Sequence, residues 1–348
     1  LSSLQLTTPL HLISIRNWAF VCLTKVTIEN IWNYICKMEH FEFAPTPITR
    51  LNYFSERFGT DLWAKRDDLF PSALGGSKAR MLQYILYPIL KAGKKTVVTA
   101  GGPCSNFNRS IALLCAQYGL QLKLVSYTDN PVEYKTALNN YLVGLTNCEY
   151  IYCDKSQVPE TIKQVLDNSD KDTTTFIWGG GKSLQGVYSY YDAVRELKTQ
   201  KEEIDELFVA CGTGTTLTGI CAGMQEYYPH AKVHGVSVAR TYDSEKAVLQ
   251  EDMAYLNKYL DSHYDFSNLI FHEEFLLGGY GKSNDEELNV IKECIAHEGM
   301  VIDSTYVGKA FYGMNTLLSN GNYKGKKILF WNTGGVINLL SEREQFNL

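Results

Sequence analysis

From Phe41 onward the chain alternates two hydrophobic rhythms. Short apolar runs closed by polar or glycine residues, such as "KTVVTAGG" (95–102) and "KKILFWNTGG" (326–335), predict buried strands. "DLWAKRDDL" (61–69), "QLKLVSY" (121–127), "TTFIWGGG" (174–181) and "KVHGVSVA" (232–239) read the same way. Longer stretches carry apolar residues three and four apart and predict helices: "SKARMLQYILYPILKAG" (77–93), "VYSYYDAVRELKTQ" (187–200) and "NDEELNVIKECIAHEG" (284–299). "TIKQVLDN" (161–168) is a further helix, and "CSNFNRSIALLCAQYGL" (104–120) another, with Ser105 or Asn106 as its cap. "ELFVACGTGTTLTGICAGMQEYY" (206–228) reads as strand, Gly/Thr loop and helix. Strands alternating with helices at this spacing predict an α/β fold with a mainly parallel sheet. In such sheets ligands sit at the carboxyl ends of strands. The glycine clusters 101–102, 179–181, 212–214 and 334–335 fall there.

Composition narrows the picture only a little. The 348 residues suffice for two domains, and 45% hydrophobic with 20% charged residues fits a folded globular protein. No Pro/Gly-rich linker divides the chain, so a second domain would be inserted into the first. The net charge of −5 and the absence of a basic block give nucleic-acid binding no support. No apolar run is long enough for a membrane span. The nine cysteines form no CxxC pair and no Cys/His cluster, which predicts reduced thiols, no metal site and a cytoplasmic location. Residues 1–37 carry little acid, and "WAFVCL" makes a poor signal-peptide core. They read as an extension outside the catalytic fold, with a docking helix as the alternative.

Four stretches carry chemistry. In "CGTGTTLTG" (211–219) small residues follow a strand and open a helix, so backbone N–H groups and threonine hydroxyls can meet an anion. No GK[ST] follows, and no third glycine completes a dinucleotide fingerprint. A phosphate monoester fits better, and a tight structural turn is the alternative. "GGPCSNFNRS" (101–110) is a second strand-to-helix junction, suited to a carboxylate or to simple capping. "GGYGKSN" (278–284) and "STYVGKAFYGM" (304–314) each set a tyrosine near glycine, for ring stacking, proton transfer or core packing.

Taken in order, "KRDDLFPSALGGSKAR", "TAGGPCSNFNR", "CGTGTTLTG", "GGYGKSN", "DSTYVGKAFYGM" and "WNTGG" resemble the tryptophan synthase β-like (fold type II) pyridoxal-phosphate enzymes. Within that group the chain looks most like the branch of D-cysteine desulfhydrase and 1-aminocyclopropane-1-carboxylate deaminase, over roughly residues 41–340. The resemblance implies pyridoxal 5'-phosphate in a cleft between two domains. The large domain would comprise 38–91 and 191–348, and the small domain 92–190. Lys78 matches the lysine that holds the cofactor and serves as base. Gly212, Thr213, Gly214, Thr215 and Thr216 match the phosphate loop. Asn106 matches the residue at the ring hydroxyl, Ser105 the serine near the substrate carboxylate, and Tyr306 the tyrosine stacked on the ring. Tyr280 matches the second active-site tyrosine, and Thr333 a threonine able to meet the pyridine nitrogen.

Four positions depart from the family pattern: Ser77 for asparagine, Met81 for a basic residue, Phe107 for histidine or glutamine, and Val307 for glutamate or threonine. Val307 speaks against cyclopropane deamination, and Phe107 changes the wall that meets the substrate. The implied activity is α,β-elimination on a small amino acid such as D-cysteine or a β-substituted alanine. β-Replacement and cofactor binding without turnover are the alternatives. The family implies a homodimer.

Overall fold

In the computed structural model, which describes residues 37–346, two separate sheets carry the fold. The larger has six strands in the order β1-β2-β10-β7-β8-β9: β1 (Ile48–Arg50), β2 (Asp61–Arg66), β7 (Glu206–Cys211), β8 (Lys232–Ser237), β9 (Leu269–His272) and β10 (Lys327–Asn332). Only the β1–β2 pair is antiparallel. The smaller sheet is fully parallel, in the order β5-β4-β3-β6, from β3 (Thr96–Gly101), β4 (Gln121–Ser126), β5 (Glu149–Tyr152) and β6 (Thr174–Phe176). The α/β class and its mainly parallel sheets are as the hydrophobic pattern predicts. Residues 1–36, where most of the expected extension falls, lie outside the described residues.

Alternation along the central strands explains the layers. On β10, Leu329 and Trp331 join one apolar cluster, whereas Ile328 and Phe330 join the other. On β7, Leu207, Val209 and Cys211 face the first cluster, and Phe208 and Ala210 the second. A strand buried on both faces reads as a continuous apolar run, as "LFVAC" does. Helices cover both faces. One of them, Thr215–Tyr227, lies unusually close to the helix Leu184–Gln200. A Cβ at Gly219 would stand 2.2 Å from the Val187 carbonyl oxygen, so only glycine permits that approach.

A buried ionic cluster fixes the segment between β2 and the helix Ser77–Lys91. The Asp67 carboxylate accepts from Arg80 Nη2 at 2.8 Å, Tyr190 Oη at 2.7 Å, Thr46 Oγ1 at 2.8 Å and Trp331 Nε1 at 3.0 Å. Arg80 also donates to Glu196 at 2.8 Å. The Asp67 carbonyl accepts from Gly76 N at 2.7 Å, and Thr333 O accepts from Ser77 N at 2.8 Å. Gly75 turns the chain here with φ 75°, and a Cβ would stand 2.1 Å from the Asp68 carbonyl oxygen. This turn therefore delivers Lys78, three residues after Gly75, into the first turn of the helix.

Candidate active site

The glycine-marked strand ends converge on a cleft with about 810 Å³ of empty space. Its walls include Lys78, Ser105, Asn106, Phe107, Gly212, Thr213, Gly214, Thr216, Tyr306 and Thr333. Two residues expected at the site stand outside its lining. Thr215 is fully buried, with its methyl against Gly186. Tyr280 is half-exposed, and its hydroxyl stands 2.7 Å from that of Tyr306.

Lys78 is the chemically unusual group. Its ammonium donates to the Gly180 carbonyl at 2.9 Å and, among the described residues, has no carboxylate within ion-pair distance. The thioether of Met81 lies 3.8 Å from Nζ. A Cβ on Gly181 would touch Met81 Sδ, Phe107 Cε2 and Ile85 Cδ1, so these three side chains form one apolar wall there. Burial pushes the amine down to about 8, against an ordinary 10.5. Loss of water around the charged form is the cause. Met81, at a position that departs from the family pattern, thus stands beside the amine without offering it a charged partner.

The anion-binding elements come from local backbone geometry. The Thr215–Tyr227 helix opens from Gly214, at φ 81°, with no side-chain cap. Its free N–H groups share the cleft with the side chains of Thr213 and Thr216. Ser105 caps the helix Asn106–Gln117, its hydroxyl accepting from Asn108 N at 3.2 Å. Its O–H remains available as a donor. A Cβ on Gly212 would lie 3.6 Å from the Tyr306 ring, so this ring stands directly against the phosphate-type loop. Burial, followed by the neighbouring Tyr280, pushes the Tyr306 phenol well above its ordinary value.

Among the described residues, no carboxylate lines the cleft. The position after Tyr306 is Val307, which is buried and offers no polar atom. Two residues at the wall were given no role in the sequence reading. Gly180 supplies the carbonyl that holds Lys78, and its signal was the glycine cluster after β6. Arg109 lines the cleft and donates to Asn106 Oδ1 at 2.8 Å. Its signal was the three-residue spacing from Asn106, which puts both on one helix face.

An amine near neutrality, a hydroxyl-bearing loop at a helix N-terminus, a ring wall and a free amide donor suit a phosphorylated, planar aldehyde. Fold and cleft together define a pyridoxal-phosphate dependent enzyme of fold type II. The chain belongs to the pyridoxal-phosphate dependent enzyme family, whose model matches residues 41–334. Its cofactor is pyridoxal 5'-phosphate, and its substrates are small amino acids. The chain is similar to the crystal structure of an ACC deaminase homologue, with 28% identity and a TM-score of 0.82 over 91% of this chain and 98% of that one. It shares its fold with a hydrogen sulfide-producing enzyme from Fusobacterium nucleatum, at 17% identity and TM-score 0.62 over 84% and 96% of the two chains. Serine racemase from Dictyostelium discoideum shares it too, at 16% identity and TM-score 0.64 over 84% and 93%. No helix among the described residues is long and apolar enough to cross a membrane.

Proposed function

We propose that the enzyme catalyses α,β-elimination on a small amino acid such as D-cysteine or a β-substituted alanine, releasing pyruvate, ammonia and the leaving group. The observation that carries this reading is a cleft that holds the near-neutral Lys78 amine and Tyr306, whose hydroxyl stands 2.7 Å from that of Tyr280 outside the lining, with no carboxylate lining the cleft among the described residues. The bound cofactor supplies an electron sink for the bond broken at Cα. Lys78 takes the Cα proton, a role its lowered basicity suits. Ser105 and the helix end behind it orient the substrate carboxylate. Tyr306 and Tyr280, 2.7 Å apart, hold and pass a proton toward the departing group. Thr333, in the cleft wall, would offer the ring nitrogen a neutral hydroxyl, which would favour expulsion of a good β leaving group over a long-lived carbanion.

Val307, in place of the glutamate of cyclopropane deaminases, disfavours ring opening even though the similar structure is that of an ACC deaminase homologue. Residues 92–190 would close as a small domain over the cleft and exclude water during the proton transfers. Seven cysteines among the described residues are free thiols, which supports a cytoplasmic location.

The test is the visible spectrum of the protein loaded with pyridoxal 5'-phosphate, followed while D-cysteine is added. A shift of the absorption band with release of sulfide and pyruvate is expected. An unchanged band, with no product from D-cysteine, L-cysteine or β-chloroalanine, would overturn the elimination reading.

A further inference from the structure

Arg109 is only 3% exposed, yet no carboxylate among the described residues pairs with it. A buried charge normally has a partner, because removing an ion from water is costly. Its Nη1 donates to Asn106 Oδ1 at 2.8 Å and Asn139 Oδ1 at 3.1 Å. Its Nη2 donates to Gly75 O at 3.2 Å and Ser110 Oγ at 3.3 Å. Nε is buried without a hydrogen-bond partner. All of these acceptors are neutral. Burial accordingly pushes the guanidinium down to about 10.

The same contacts determine how Asn106 points. Its Oδ1 accepts from Arg109 and also from Asn139 Nδ2 at 3.2 Å. Two donors occupy both lone pairs of the amide oxygen. The flipped amide would set its N–H groups against the guanidinium, so that orientation is excluded. Asn106 Nδ2 is thus the end left to donate into the cleft. Asn139 continues the network to Asn338 Oδ1 at 2.5 Å, on the helix Val336–Ser341 that follows the Thr333–Gly335 wall. Through Gly75 O, Arg109 also grips the turn before Lys78.

We propose that Arg109 is the positioning residue that fixes Asn106 as a donor and supplies the positive charge that an anionic ring oxygen of the cofactor neutralises. The proposal rests on reading Asn106 as the residue at the ring hydroxyl. Donation from an amide polarised by a guanidinium favours the ionised ring oxygen.

The test titrates pyridoxal 5'-phosphate into cofactor-free wild type, Arg109→Lys and Arg109→Gln, recording affinity and the full absorption spectrum. Arg109→Gln should weaken binding about tenfold, the factor that 1.4 kcal/mol represents. It should also move intensity from the long-wavelength band to the near-ultraviolet band, as the ring oxygen takes up a proton. Arg109→Lys, which keeps the charge, should retain most of the long-wavelength band. A fall in melting temperature with wild-type affinity and band ratio in Arg109→Gln would make Arg109 purely structural and overturn the proposal. So would unchanged cofactor binding with a raised KM for D-cysteine at constant kcat, since the anion would then be the substrate carboxylate. If Arg109→Gln does not fold, Asn139→Asp sets a carboxylate beside the same guanidinium. It should then weaken cofactor binding, and wild-type affinity would overturn the proposal. A wild type without any long-wavelength band would remove the Lys78 reading together with this one. A normal wild type beside an unchanged Arg109→Gln would remove this one alone.

Discussion

Replacing Lys78 by methionine should stabilise the cofactor-free protein near neutral pH while abolishing its chemistry. The folded amine titrates at about 8 and the unfolded one at 10.5. Between those values the unfolded state binds more protons than the folded state, so wild-type stability rises with pH across the window. Below pH 8 the full cost of holding a charged amine in the cleft applies, about 3 kcal/mol. Methionine has a similar unbranched stem and carries no charge, so it escapes that cost. It also gives up the 2.9 Å bond to the Gly180 carbonyl, a loss of about 1 kcal/mol. The net expectation is a gain of about 2 kcal/mol below pH 8, shrinking as pH rises and turning into a loss of about 1 kcal/mol above 10.5. Urea unfolding of the two cofactor-free proteins at a series of pH values measures it. A Lys78→Met variant no more stable than wild type near neutrality would refute the argument that burial strains this amine. So would a gain that stays constant with pH.

Three further expectations concern two buried carboxylates and the half-exposed Tyr280. Glu287 is fully buried with both carboxylate oxygens unpartnered, and burial pushes its pKa up to about 9. Ionisation thus favours the unfolded chain from about pH 4.5 upward; Glu287→Gln should raise the melting temperature near pH 7, by a gain that grows up to about pH 9 and then levels. Thermal unfolding checks it, and a lowered melting temperature would mean that Glu287 is a needed counter-ion for Lys309. At Asp67 burial pushes the pKa up, but Arg80 overrides this and holds it below the ordinary value. Asp67→Asn should cost about 3–5 kcal/mol near neutral pH, and the difference from wild type should shrink as acid protonates the carboxylate. Tyr280→Phe should lower kcat on D-cysteine about a hundredfold with little change in KM, because it removes one member of the proton-passing pair and leaves the ring wall intact.

What the sequence disclosed, and what it hid, has a physical pattern. The central strands were legible because burial on both faces makes them uniformly apolar, as in "LFVAC" and "ILFW". The helix Tyr242–Leu260 was not anticipated. Its buried residues, Glu245, Leu249, Asp252, Met253 and Leu256, keep helical spacing, but two of them are acidic. A hydrophobic period cannot register a buried carboxylate. The edge strands β1 and β9 are only three and four residues long, and β1 (ITR) also lacks the apolar run that marks its neighbours. At the site, the small-residue loops were legible because an anion cradle needs backbone, and backbone needs glycine. Thr215 shares that composition yet turns its side chain away from the cleft, which only the helix geometry after Gly214 decides. Arg109 was hidden for the opposite reason. An arginine on a helix reads as solvated until the tertiary structure removes its water.

The two buried arginines separate what holds the fold from what serves the site. Arg80 and Arg109 are 1% and 3% exposed. Burial pushes the Arg80 pKa down, but Asp67 and Glu196 carry it well above the ordinary value. Its cluster is complete within the chain and anchors the strap that presents Lys78. Arg109 has the same burial and only neutral acceptors. Lys78 is half-buried, and its ammonium has the Gly180 carbonyl as its only oxygen partner among the described residues. A chain selected for stability alone would pair or remove both groups, since an uncompensated buried charge is strongly destabilising. Their presence around one cleft fits the proposal that the compensation arrives with the ligand. On the proposed reading, Lys78 would be compensated by a covalent bond to the cofactor aldehyde, and Arg109 by an oxygen carrying negative charge. The cofactor therefore contributes to folding stability as well as to chemistry, and ligand binding should raise the melting temperature in proportion to both relieved costs.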